Sequence, residues 1–246
     1  MNDLELYFKN NKGRLIHKWQ HYFEIYNNHF SRFRNKEVVI LEIGVSQGGS
    51  LKMWKNYFGE KAKIYGIDID PRCKSFEEEN IEIFIGSQSD KKFLNEVKLK
   101  IPKVDILIDD GGHSMKQQIV SFEVLFSHIN ENGIYFCEDC HTSYWWQYGG
   151  GYQRRNSFIE FSKNWIDKLN AFHSKTDNLK VDDFTYSAKS VHYYDSIVVI
   201  EKGKIEKPYA SKTGIEGFKY PPQKKFTFKI LVNRITGLLR IPMYID

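Results

Sequence analysis

Residues 38–54 read VVILEIGVSQGGSLKMW, and the change of texture inside this stretch decides the fold. An apolar, β-branched run, Val38 to Ile43, gives way to a polar turn with Gly44, Gly48 and Gly49. Leu51 and Trp54 then follow at helical spacing, which predicts strand, turn and helix in succession. Outward from there, the short runs KIYGIDI (63–69), IEIFIG (81–86), VDILIDD (104–110) and GIYFCED (133–139) recur, with amphipathic stretches between them. Strands without polar alternation are buried on both faces, so the pattern predicts an α/β chain with a Rossmann-like, doubly wound, mostly parallel sheet. In VHYYDSIVVIEKG (191–203), Tyr194-Asp195-Ser196 separates two β-rich runs and predicts a closing antiparallel hairpin, for seven strands in all. Between the fourth and fifth runs, Ser114 and Gln117 fit a capping box, and Met115 to Ile129 keep helical spacing, with an end expected at Asn132-Gly133.

The 246 residues divide, on this reading, into an aromatic-rich helical segment at 1–35, a catalytic-type domain at 36–204 and a basic extension at 205–246. Residues 202–240 carry ten Lys/Arg against Glu206 and Glu216, so the net charge of +5 resides in the tail and the rest is slightly acidic. A nucleic-acid grip would spread positive charge over the working face, so nucleic acid is not an expected partner. No run approaches a membrane span, the start has no cationic-then-apolar layout, and three cysteines make no disulfide framework. A cytoplasmic location is expected. In the tail, Phe228, Leu231, Ile235, Leu238 and Leu239 against Lys224, Lys225, Lys229, Arg234 and Arg240 permit either peripheral membrane contact or a helix docked on protein; Gly237 and Pro242 weaken the former.

Ligands of open parallel sheets bind at the carboxyl ends of the strands. The first end, Glu42-x-Gly44-x-x-Gln47-Gly48-Gly49-Ser50, brings backbone amides and a helix N-terminus close to a ligand, although the same glycines would serve a bare tight turn. Asp68, ending the second strand, suits ribose hydroxyls. Because the spacing is not G-x-G-x-x-G, an adenosine donor is preferred to a nicotinamide dinucleotide. Ser87 and Gln88 stand where an adenine edge would lie. The fourth and fifth strands end in Asp109-Asp110-Gly111-Gly112-His113 and Glu138-Asp139. Acids gathered on neighbouring strands repel unless a cation joins them, and oxygen ligation selects a hard ion such as Mg²⁺. One of the four, Asp109, is expected as a helix cap. His113 beside such an ion is a candidate general base. Cys137-x-x-Cys140 lacks a second pair and is read as buried thiols. Tyr144 and Trp145, in a run of aromatics and glycines, suit a wall over a ring-shaped substrate.

LEIGVSQGGSLKMW, YGIDIDP, IGSQSD, IDDGGH and CEDCHTSYWW, in this order, resemble the Mg²⁺-dependent S-adenosylmethionine sugar O-methyltransferases of the macrocin and mycinamicin type, over about residues 37–201. The resemblance implies a class I methyltransferase fold and methyl transfer to a sugar hydroxyl on a nucleotide-linked, glycan, capsule or antibiotic-type acceptor. It also implies Asp110, Glu138 and Asp139 as metal ligands and His113 as the base. The donor would be held by Glu42, Gly44, Gln47, Gly48, Ser50, Asp68, Ser87, Gln88 and Asp109. A homo-oligomer is expected. The alternatives are a non-sugar hydroxyl acceptor, an NAD-dependent oxidoreductase and a non-catalytic membrane adaptor.

Overall fold

A computed structural model describes residues 1–220 and 228–239. Two compact units divide the chain, Met1–Pro208 and Tyr209–Asp246. The first is built on β1 (Val39–Ile43), β2 (Lys63–Asp68), β3 (Ile81–Ile85), β4 (Val104–Asp109), β5 (Ile129–Cys137), β6 (Ala188–Tyr194) and β7 (Ile197–Lys202). They form one sheet in the order β3-β2-β1-β4-β5-β7-β6. Strands β1 to β5 pair in parallel, and β7 runs antiparallel to both its neighbours, closing the expected hairpin through Asp195-Ser196.

Alternation along the strands sorts side chains onto two cores. Ile40, Ile106, Ile108, Ile134, Phe136, Ile197 and Val199 face one layer, packing with residues of α1 (Asp3–Asn10), α2 (Tyr22–Phe30) and α3 (Gly49–Phe58). Leu41, Ile43, Leu107, Tyr135, Val198 and Ile200 face the other, packing with α4 (Lys91–Lys100), α5 (Met115–Leu125), α6 (Phe158–Leu169) and α7 (Asp183–Ser187). The first layer centres on Tyr26, 5.1 Å from Trp54 and 5.2 Å from Phe136 between ring centroids. In the second, Phe122 lies 4.3 Å from Trp165. Each such ring contributes about 1.5–3 kcal/mol by burial. Of the N-terminal aromatics, Tyr22, Phe23 and Tyr26 are buried on α2, whereas Trp19 precedes the helix and is half-exposed.

Two expectations are corrected here. The capping box forms, with Ser114 N donating to Gln117 Oε1 at 3.1 Å, but α5 ends at Leu125 and not at Asn132-Gly133. Residues 126–128 tighten into a 3₁₀ turn and Ile129 already pairs with Val104, so Asn132 and Gly133 lie inside β5. Asp109 caps no helix. It shares the strand parity of Leu107 and lies fully buried at the end of β4.

The second unit contains α8 (Phe228–Leu238), along which Phe228, Leu231 and Ile235 recur at helical spacing. Gly237 lies within this helix. Lys224, Lys225 and Arg240, invoked for membrane contact, and Pro242, invoked against it, lie outside the described residues. Among the described residues, no helix is long and apolar enough to cross a membrane.

Candidate active site

The parallel register sets the strand ends side by side. Gly44 N donates to Ile67 O at 2.8 Å, Asp110 N to Ile43 O at 2.9 Å and Glu138 N to Asp109 O at 2.9 Å, so β2, β1, β4 and β5 release their chains at one level. Gly44 has φ +95°, and a Cβ there would lie 2.0 Å from Asp110 O. A side chain would therefore both strain the turn and push the two strand ends apart. Asp68 stabilises the turn: its Oδ2 accepts from Val45 N at 2.9 Å and Ser46 N at 2.8 Å, and its Oδ1 accepts from Asp70 N at 2.9 Å.

Two recesses, each of about 220 Å³, open on this turn. One is lined by Gly44, Asp68, Ser87 and Gln88, the other by Gln47, Ser50, His113 and Asp139; Gly44, Ser46, Asp110 and Gly111 line both. Gly48 adopts φ +71° as the N-cap of α3. Together the recesses form a cleft along the glycine turn that ends at the acidic tips.

Glu42 and Asp109 lie beneath the cleft on opposite faces of the sheet. Glu42 accepts from Ser50 Oγ at 2.8 Å and Trp54 Nε1 at 2.9 Å. Burial pushes its carboxyl up to about 7 against the pull of Lys18. Asp109 is likewise pushed up to about 7 by burial, opposed by hydrogen bonds from Gln88 and Ser121. Gln88 is spent inside the protein: its Nε2 donates to Asp109 Oδ1 at 2.9 Å and to Ser121 Oγ at 3.0 Å, and its Oε1 accepts from Gly112 N at 2.7 Å. Its amide thus braces the loop that carries His113, from the wall of the first recess.

An acid whose folded-state value is raised stabilises the fold below its unfolded value and loses that contribution as pH rises through the folded value. Glu42→Gln keeps both hydrogen bonds available and removes the titration. Urea unfolding should find the variant more stable than wild type at pH 8 by about 1–3 kcal/mol, with the gap closing toward pH 4.5.

At the tips, Asp110, His113 and Asp139 each offer a ligand atom within 4.8 Å of the others. His113 Nε2 stands 3.4 Å from Asp139 Oδ2 and 3.8 Å from Asp110 Oδ1. Both His113 (φ 54°) and Asp139 (φ 52°) occupy the left-handed region, a strain that non-glycine residues tolerate where the surroundings over-determine them. Tyr22 OH donates to Asp139 Oδ1 at 2.7 Å, and Thr142 Oγ1 donates to His113 O at 2.9 Å.

Glu138 is not brought into this group. It takes the parity of Phe136, facing α2, and its Oε2 accepts from Lys18 Nζ at 2.8 Å while its Oε1 is buried without a hydrogen-bond partner. Lys18 Nζ also lies 2.5 Å from Asp110 Oδ2. Burial works against the ammonium charge, but Asp110, Glu138 and Glu42 outweigh it and raise its pKa above the usual lysine range. Lys18 is the site residue that sequence reasoning missed. Only the unpaid charge of the acidic tips hinted that a cation must lie nearby.

Tyr144 and Trp145 line neither recess. Trp145 packs on His141, 4.6 Å between ring centroids, and His141 Nδ1 lies 4.0 Å from Asp139 Oδ1; Tyr144 and Trp145 are about half-exposed. Cys137 and Cys140 are buried free thiols. A second titratable group, His29, His192 and Glu201, is held by internal hydrogen bonds, His29 to Glu201 at 3.0 Å and to Tyr194 at 2.9 Å, and His192 to Ser190 at 2.9 Å.

The strand order with its reversed seventh strand, and the glycine turn at the end of β1, define a class I methyltransferase fold. No family model matches the chain. Among curated proteins it is similar to demethylmacrocin O-methyltransferase of Streptomyces fradiae, 34% identical over 189 residues, covering 72% of this chain and 47% of that protein. It is also similar to mycinamicin VI 2''-O-methyltransferase of Micromonospora griseorubida, 32% identical over 190 residues, covering 73% and 47%. Among solved structures, the MycE methyltransferase in complex with Mg, SAH and mycinamycin VI superposes with a TM-score of 0.72 at 30% identity, over 82% of this chain and 53% of that one. The chain is thus a relative of the sugar O-methyltransferases of the macrocin and mycinamicin type, and it spans about half the length of the curated relatives it matches.

Proposed function

We propose that the chain transfers a methyl group from S-adenosylmethionine to a sugar hydroxyl with the help of Mg²⁺. The observation that carries this reading is the convergence of Asp110, His113 and Asp139 at the end of the glycine-turn cleft. The oxygen donors fit a hard cation: Asp110 and Asp139 would hold it, and Glu138, with one buried oxygen lacking a partner, stands beside them. Bound there, the ion would supply positive charge that acidifies an alcohol.

The rest is done by the chain. Gly44 and the backbone of residues 44–49 admit the donor close to the strand ends, and Asp68 keeps that turn in shape. The acceptor oxygen loses its proton to His113, its lone pair forms the bond to the methyl carbon, and the carbon–sulfur bond breaks to leave a neutral thioether. Holding both reactants in line converts an encounter into a first-order step. His113 acts as base rather than ligand because a hard ion favours the neighbouring carboxylates. Trp145, half-exposed and packed on His141 next to Asp139, provides with the exposed Tyr144 aromatic faces for the acceptor ring.

The relatives named for antibiotic sugars support the acceptor class, and we extend it to nucleotide-linked sugars and glycans of polysaccharide assembly handled in the cytoplasm by a homo-oligomer. Incubation with labelled S-adenosylmethionine and a panel of nucleotide sugars and glycosides, read by mass spectrometry, should add one methyl group to the sugar of at least one of them. Failure of the protein to bind S-adenosylhomocysteine in a calorimetric titration would contradict the donor assignment.

A further inference from the structure

We propose that Lys18 is a resident counter-cation that a divalent ion must displace, so that residues 11–21 are latched onto the acidic tips without the ion and released from them when it binds. The inference rests on the metal-assisted reading above and adds to it a competitor supplied by the chain itself.

Residues 11–21 have no helix or strand and run over the glycine turn. The carbonyls of Arg14 and Leu15 press on Gly49, where a Cβ would lie 2.6 Å and 2.2 Å from them, and the Arg14 guanidinium stacks 4.5 Å over Phe76. Asn11 Nδ2 donates to Arg14 O at 2.8 Å. These contacts hold the first half of the segment independently of any charge at the site. In the second half Ile16 is buried in the core, Trp19 packs on His141 at 5.8 Å between ring centroids and His21 Nε2 lies 3.2 Å from Asp195 O; between them Lys18, its side chain only 3% exposed, ties the segment to the functional carboxylates themselves.

Asp110 belongs to both arrangements. Its Oδ2 meets Lys18, while its Oδ1 faces His113 in the cluster that would receive the ion. An ammonium and a divalent cation sharing one carboxylate repel each other strongly in a low-dielectric site, so each weakens the hold of the other. Glu138 indicates the outcome of the exchange. Its Oε1 is buried with no group but the Tyr26 hydroxyl facing it, and loss of Lys18 would free its Oε2 as well, so the carboxyl would need another cation, or a proton, to stay buried. The ion therefore replaces Lys18 as the group that neutralises these acids. By linkage, the factor by which Lys18 weakens metal binding equals the factor by which metal weakens the latch.

The test uses the full chain with Mg²⁺ or Mn²⁺ alone. Calorimetry should show Lys18→Met binding the ion about tenfold more tightly than wild type, with Lys18→Arg close to wild type. Because Lys18→Met leaves buried acids unpaired and risks misfolding in the absence of metal, limited trypsinolysis of wild type gives a second measure. Saturating metal without donor should speed cleavage after Lys18 about tenfold. Equal or weaker metal affinity in Lys18→Met, or equal protection of Lys18 with and without metal, would overturn the proposal while leaving metal binding intact. Absence of metal binding in both proteins, with S-adenosylhomocysteine still bound, would bring down the metal-assisted reading and this inference together.

Discussion

Replacing His113 with Asn is expected to lower kcat/KM for methyl transfer by about 10²–10⁴-fold, the usual contribution of a positioned general base. Asn is the informative substitution because it accepts the left-handed backbone that His113 adopts at φ 54°, whereas Ala would mix a catalytic loss with strain. The ring touches the site through Nε2, and its Nδ1 is buried without a hydrogen-bond partner. An amide in its place removes the proton acceptor while the Thr142 hydroxyl still holds the backbone carbonyl. Affinity for S-adenosylhomocysteine should stay within about threefold of wild type, since a change of that size is well under 1 kcal/mol. Turnover at the wild-type rate would remove His113 from the mechanism.

Asp139→Asn should be comparably damaging by a different route. Asn tolerates φ 52° and can still accept from Tyr22 OH, so the fold is preserved and one negative charge is lost from the cluster. If Asp139 helps hold a catalytic cation, several kcal/mol of transition-state stabilisation go with it, which means about a 10³-fold fall in kcat/KM. Excess Mg²⁺ should restore part of this loss. The same fall with no response to Mg²⁺, together with normal metal binding by calorimetry, would assign Asp139 to positioning His113 alone.

The sheet was legible because strands buried on both faces carry uninterrupted Ile and Val, and because Gly44 must stand where two strand ends nearly touch. The Ser114–Gln117 box was legible because its partners are three residues apart. The end of α5 was not. Phe126 and Ile129 continue the helical spacing, yet Ile129 gains more by pairing with Val104 at the start of the next strand. The bracing role of Gln88 was hidden for a related reason: a polar residue at a strand end suggests a ligand, and nothing local shows that the buried carboxylate of Asp109, from another strand, also claims its amide. Asp110 and Asp139 were legible as tips of neighbouring strands. Lys18 was not, since it lies in the polar run HKWQHY, 92 residues from Asp110 and 120 from Glu138 in sequence, and its partnership is created only by tertiary folding.

Crystals grown with Mn²⁺ and S-adenosylhomocysteine test the account most directly, through the anomalous signal of the metal. The prediction is a single strong peak bridging the carboxylates of Asp110 and Asp139, with the donor sulfur facing it from the glycine-turn cleft. Donor density in the cleft with no peak between those two side chains, or with the metal bound elsewhere, would contradict it.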